Sequence, residues 1–191
     1  MEMHGCIFFH TGTQTQILQK DLTILLLNTQ KMDGWMGISG GDNFHFQAKR
    51  GDYLISSDPA KIDRDYVIDF LTKEAYWSKG TDPALVAEAL KHSEVLGLYD
   101  ANDNQVGFAR IVTDYAVFAY IRDVFVDAAH RGRGLGLWLA ESAIAHPRLQ
   151  TVKSWMLATR DAHGVYAKVG FHALNHPEWY MQRPSDGGSR R

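Results

Sequence analysis

A hydrophobic strand that turns through three alternating glycines straight into an amphipathic helix leaves a chain few folds to choose from. Residues 123–139 have that form: Asp123-Val124-Phe125-Val126-Asp127-Ala128-Ala129-His130-Arg131-Gly132-Arg133-Gly134-Leu135-Gly136-Leu137-Trp138-Leu139. Glycine at 132, 134 and 136 lets backbone N–H groups crowd round an anion without Cβ interference, and a helix starting there adds the positive end of its dipole. Arg131 and Arg133 add charge. A pyrophosphate, with several acceptor oxygens, is the guest that suits a row of amides. Taken alone, the turn also fits a tight connection or a basic patch for RNA. A dinucleotide fold would place G-x-G-x-x-G in an early βαβ unit, and a P-loop would carry Gly-Lys-Ser/Thr; neither pattern is present. An RNA-binding arginine-glycine segment would be repeated, whereas this one is a single copy locked between strand and helix.

The flanking pattern supplies the rest of the fold. Tyr53 to Ser57 reads as a strand, Asp63 as a cap for a helix carrying Val67, Phe70, Leu71 and Glu74, and Asp82-Pro83 as the cap and first residue of a helix over 83–91 whose buried stripe is Val86, Ala89 and Leu90. Glu94 to Tyr99 and Val106 to Thr113 form a hairpin through Asn102-Asp103-Asn104, and Ala116 to Val126 is a long strand. A helix with Leu135, Trp138, Leu139, Ser142 and Ala143 stops before Pro147. Ser154 to Thr159 is a further strand, and a short helix from Ala162 to Val169 ends at Gly170. His172 to Leu174 and Trp179 to Met181 are expected as edge strands. Hairpins first and β-α-β later predict an α/β fold with a mixed sheet and helices on both faces. Residues 1–52, with short apolar runs at Cys6 to Phe9 and Leu22 to Leu27, read as an extension of one or two strands; 53–183 form the domain, and 184–191 a disordered tail.

Composition narrows the partners. A formal net charge of -2 gives no global attraction to nucleic acid or to an anionic membrane. Cys6 is the only cysteine, which excludes an internal disulfide and a cysteine zinc cluster and suits a reducing compartment. The apolar run Ile24 to Leu27 is far shorter than the ~20 residues of a membrane span and has no secretory layout, so the cytoplasm is the expected location.

With these elements placed, residues 53–183 resemble the GCN5-related N-acetyltransferase (GNAT) superfamily. Its signature R/Q-x-x-G-x-G/A is met by Arg131-Gly132-Arg133-Gly134-Leu135-Gly136, and a second family motif by Tyr166-Ala167-Lys168-Val169-Gly170-Phe171. The resemblance implies a central sheet whose fourth and fifth strands splay, with acetyl-CoA lying in the gap as cosubstrate. Its pantetheine amides would pair with Val124, Phe125 and Val126, and its pyrophosphate would sit on Arg131, Gly132, Arg133, Gly134, Leu135 and Gly136. The implied activity is transfer of an acetyl group to a primary amine of a small molecule or peptide by direct attack. The alternative is a GNAT-fold regulator that binds acyl-CoA without turnover. Nucleic acid, membrane and metal are not expected as partners, and a homodimer is left open.

By the same resemblance Tyr166 is the leaving-group acid, with simple packing beside Val165 and Val169 as its other role. Many family members carry a glutamate base on the fourth strand where this chain has Arg122. Asp123 is the neighbouring carboxylate, and strand alternation sets it on the opposite face from Arg122, together with Phe125; which face looks into the cleft depends on a bulge whose place the sequence does not give. It is read as base, ammonium anchor or structural partner. His163, one turn before Tyr166, is a candidate to carry a proton or touch substrate. Thr159, Arg160 and Asp161 form a polar cluster with it, as substrate contacts or as capping. Tyr76 and Trp77 lie where the family often lines its acceptor pocket, and burial is their alternative.

Overall fold

The computed structural model describes residues 45–183. The strands expected at Cys6 to Phe9 and Leu22 to Leu27, and the tail 184–191, lie outside the described residues.

Six strands form one sheet in chain order: β1 (Gln47–Arg50), β2 (Tyr53–Ser56), β3 (Glu94–Tyr99), β4 (Gln105–Thr113), β5 (Phe118–Val126) and β6 (Ser154–Leu157). Neighbours are antiparallel from β1 to β5, and β5 pairs β6 in parallel. β1 lies in the stretch assigned to the extension, so the sheet takes in the end of that segment. β5 begins at Phe118, two residues later than expected, because the Asp114 carboxylate accepts hydrogen bonds from the amides of Ala116, Val117 and Phe118 and holds them in a turn. In the β3–β4 hairpin, Asp103 takes a φ of 62°, and Asp100 accepts from the amides of Asn102 and Asn104.

Helices cover both faces. Asp63 accepts from the amide of Tyr66 and starts α1 (Arg64–Asp69), which runs on as a π-helical turn over Phe70–Glu74. Asp82 accepts from the amide of Ala84 and, with Pro83, opens α2 (Pro83–Lys91). α3 (Leu135–Ile144) follows the glycine turn, and α4 (His163–Ala167) precedes Gly170, whose φ of 91° ends that segment. On one face Leu135, Trp138, Leu139 and Ala143 of α3 pack on Ile55, Leu96, Leu98, Ile111 and Ile121. On the other, Val67, Phe70 and Leu71, with Val86 and Leu90 of α2, pack on Val95, Phe108 and Phe125. Phe70 and Phe125 stack with centroids 3.8 Å apart. Fully burying a side chain of this size contributes about 1.5–3 kcal/mol, so these two layers hold the central strands from both sides.

Residues 172–174 and 179–181 are not strands. Pro177 lacks an amide for a ladder and opens a 3-10 turn over Pro177–Trp179, and the His176 ring stacks on Trp179 at 3.9 Å. That local packing takes Pro177–Trp179 out of the extended conformation, and Tyr180, though extended, joins no strand ladder among the described residues.

His146, after α3, is fully buried. It meets Phe46 edge-on, and neither ring nitrogen has a hydrogen-bond partner among the described residues. Its Nε2 lies 3.6 Å from Glu94, which also binds Arg148 and the Tyr115 hydroxyl. Burial, with Arg148 adding, pulls the imidazole down to about 4. The unfolded chain therefore takes up this proton near pH 6.5 and the folded chain only near 4, so stability is full above 6.5 and is lost as pH falls towards 4. Glu94, raised by burial, opposes this: its folded form holds a proton at higher pH than the unfolded one, so its term recovers stability on acidification. The expected net result is a Tm that drops between pH 6.5 and 4 more steeply for the natural chain than for His146→Leu. Equal slopes by circular dichroism would refute the assignment to His146.

Candidate active site

The site opens where β5 and β6 part. Their pairing runs from Phe118 opposite Ser154 to Ile121 opposite Leu157 and stops there, while β5 stays paired to β4 as far as Val126. Among the described residues, no strand pairs with 122–126 on their β6 side. The same stretch is bulged, since Phe125 faces Phe108 and Arg122 faces Arg110, so that three steps on β5 match two on β4. Asp123 at the bulge has a φ of 52°. This corrects the alternation expected from sequence: Arg122 and Asp123 do not point to opposite faces but line one cavity.

Two cavities fill the gap. The first, about 690 Å³, is lined by Val124, Phe125 and Val126 on one side and by Arg131, Gly132, Gly134, Leu135 and Gly136 at one end. Gly132 and Gly134 have φ of 76° and 74°, a left-handed conformation costly for other residues. A Cβ at 132, 134 or 136 would meet nothing within 4 Å, so the turn leaves open space above its backbone. Gly134 is the N-cap of α3 and offers no side chain, and the first intrahelical bond is from Trp138 N to Gly134 O. The amides of residues 135–137 therefore precede the hydrogen-bonded helix and point out of it. Arg131 is fixed by a 2.7 Å bond from Nε to the carbonyl of Val126. Arg133 is the one residue of this set that does not line the cavity: it donates to the Tyr53 hydroxyl, which also bonds His130, and so ties the turn to β2. Lys168, which in the sequence is only one member of a motif, lines this cavity, and its ammonium has no partner among the described residues.

The second cavity, about 590 Å³, adjoins the first, and Tyr166, Val124, Tyr76, Trp77 and Arg160 border both. Burial, with Tyr76 adding, pushes the Tyr166 phenol up to about 12, so it is protonated at neutral pH. Its hydroxyl makes no hydrogen bond with a described residue. Tyr76 and Trp77 are exposed, packed edge to face, and delivered here by the π turn after α1. Arg160 lies 3.8 Å over the Tyr76 ring, and Asp161 accepts from the Tyr76 hydroxyl. Thr159 lines the same cavity, and its hydroxyl accepts from the amide of Ala162 at the start of α4.

Asp123 is already engaged. Its Oδ2 accepts from Nε of Arg110 and lies 2.7 Å from a terminal nitrogen of the same guanidinium, and its Oδ1 accepts from the Trp77 indole. This almost fully buried pair pins the bulge and the aromatic wall. Asp123→Asn keeps the shape and suits the positive φ but removes the charge facing Arg110. It is expected to lower stability by about 2 kcal/mol and to leave the acidic limb of the pH–rate profile in place; loss of that limb would make Asp123 the base. His163 is not brought to either cavity; it lines a third, on the β6 side of α4. Glu74 sits at the end of the π turn in the first cavity, and its carboxylate joins no hydrogen bond or ion pair with a described residue. Its helical spacing marked it only as part of a stripe. Among the described residues no three His, Cys, Asp or Glu side chains gather as metal ligands, and no helix is long and apolar enough to cross a membrane.

The family model described as the acetyltransferase (GNAT) family matches residues 61–171, more than half of the chain. The chain belongs to the GNAT family of acetyltransferases. A crystal structure of a Xanthomonas campestris protein assigned to the GNAT family is 40% identical, covers 71% of this chain and 94% of its own, and superposes with a TM-score of 0.67. A Gibberella zeae protein provisionally named an acetyltransferase is 33% identical over 62% of this chain and 78% of its own length. A GNAT acetyltransferase from Elizabethkingia anophelis, crystallised with acetyl-CoA, is 16% identical, covers 64% of this chain and 78% of its own, and gives a TM-score of 0.50. The mixed six-stranded sheet with its parting strands is the GNAT fold.

Proposed function

We propose that this chain transfers an acetyl group from acetyl-CoA to a primary amine by direct attack. The observation that carries the reading is that Tyr166 stands where the two cavities join, between the glycine turn and the aromatic wall. Bound acetyl-CoA supplies a thioester, an acyl group already activated towards amines. The residues present suit its anionic end: the uncapped amides of 135–137, the Arg131 and Lys168 cations, and the open space over Gly132 and Gly134. The β6 side of Val124 to Val126 offers backbone groups to an extended amide-bearing chain, as a missing strand would. Tyr166 then donates a hydrogen bond to the departing sulfur, and Glu74, the lining carboxylate with no partner among the described residues, receives the amine proton, directly or through water. The amine nitrogen adds to the thioester carbonyl and the C–S bond then breaks; the proton left on Glu74 is passed to solvent and the thiolate, hydrogen-bonded to Tyr166, takes one back from water, leaving an amide and a thiol.

Calorimetry with acetyl-CoA, followed by thiol release across an amine panel, tests this. The commitment of Asp123 to Arg110 keeps a second reading, a non-catalytic acyl-CoA-binding regulator. Binding without thiol release from any amine would select that reading, and no binding would remove both.

A further inference from the structure

Counted with Arg110 behind Asp123, the lining of the second cavity carries a surplus of positive charge. It holds two carboxylates, Asp123 and Asp161, and two guanidinium groups, Arg122 and Arg160. Asp123 is neutralised from behind by Arg110. Asp161 lies 3.6 Å from Arg160, which is itself laid over Tyr76. The residue is one positive charge, that of Arg122, whose guanidinium has no hydrogen bond or ion pair with any described residue. Arg122 keeps its regular place opposite Arg110, and the bulge at Asp123 brings that carboxylate to the lining of the same cavity. A free guanidinium there repels a simple ammonium ion and lowers its pKa, which penalises capture of polyamines. It is also a five-donor fork matched to a planar anion.

We infer that the acceptor is an amine that also carries an anionic oxyacid group, foremost the carboxylate of an amino acid, and that Arg122 holds that group while the amine faces Tyr166. This rests on the acetyl-transfer reading of the same site. Holding the anion offsets the repulsion of the amine, and the same positive charge then favours the neutral amine that attack requires.

The test compares the twenty L-amino acids with their α-amides and decarboxylated amines, with 2-aminoethylphosphonate as an arm that changes the source of the anion. Thiol release and acetyl-CoA calorimetry are read for the natural chain, Arg122→Gln and Arg122→Lys. Anionic amines are expected to be preferred. Arg122→Gln should lower kcat/KM for the best of them by about 10- to 100-fold, mainly through KM, with partial rescue in Arg122→Lys and little change for the decarboxylated counterpart. Acetyl-CoA affinity should hold within a few fold in both variants. The inference is overturned if neutral or decarboxylated amines react as well as the anionic ones, if Arg122→Gln affects both alike, or if acetyl-CoA binds and no anionic amine releases thiol. Failure of acetyl-CoA to bind the natural chain would instead overturn the proposed function.

Discussion

Gly134→Asp is expected to weaken acetyl-CoA binding by about a thousandfold while the fold persists. Position 134 is the N-cap of α3, with a φ of 74° and no neighbour within 4 Å of a modest side chain. Aspartate tolerates that conformation better than most residues, at a cost of about 1–2 kcal/mol, and its carboxylate recovers part of this by accepting from the uncapped amides. Those are the donors assigned to the pyrophosphate. One added negative charge at about 4 Å from an anion near a protein surface costs about 4 kcal/mol, close to three decades in affinity. Gly134→Asn adds almost the same bulk without the charge and is expected to lose far less. Calorimetry on both variants, with circular dichroism to confirm folding, decides the matter: normal affinity in Gly134→Asp would remove the phosphate role from the turn.

That turn was legible because its requirement is local. Two left-handed residues, a helix without a side-chain cap and adjacent cations are properties of six consecutive positions, and no distant contact is needed to read them. The caps at Asp63 and Asp82 were legible for the same reason, and so was the Asn102-Asp103-Asn104 hairpin. The bulge at Asp123 was not, because it exists only in the count of β5 residues against β4, and it reverses which side chains share a wall. The role of Asp123 was hidden with it: its partner Arg110 sits on a different strand, and the two meet only because Arg122 and Arg110 face each other across the ladder.

The C-terminal segment illustrates the opposite failure. His172 to Leu174 and Trp179 to Met181 have strand-like composition, but a strand is a property of a pair, and Pro177 with the His176–Trp179 stack favours a 3-10 turn. Spacing likewise placed His163 and Tyr166 on neighbouring turns, while the parting of β5 and β6 gives only Tyr166 access to the gap. Glu74 was visible as a residue and invisible as a carboxylate of the site, because the π turn that carries it into the cavity has no clear sequence mark.

Tyr166→Phe isolates one hydroxyl at the junction of the two cavities. The ring stays, with its edge contact to Phe171 at 6.0 Å, and the hydroxyl removed has no hydrogen-bond partner among the described residues, so stability should barely change. A phenol pushed up to about 12 does not surrender its proton outright to a thiolate whose conjugate acid lies near 8.5, the value of a free cysteine thiol. What it supplies is a hydrogen bond to negative charge that grows only as the C–S bond breaks, an interaction of the kind whose removal costs about 10²–10³ in rate. The expected result is therefore a fall in kcat of about 100-fold or more with acetyl-CoA affinity unchanged within a few fold, because the ground-state thioester sulfur carries little charge. Full proton transfer would also set a basic limb in the pH–rate profile, whereas the amine, which attacks in its neutral form, sets only the acidic one. Single-turnover rates, in which product release cannot mask chemistry, are the measurement to make. An unchanged rate in Tyr166→Phe under those conditions would reduce Tyr166 to packing and leave the departing sulfur to be protonated by water.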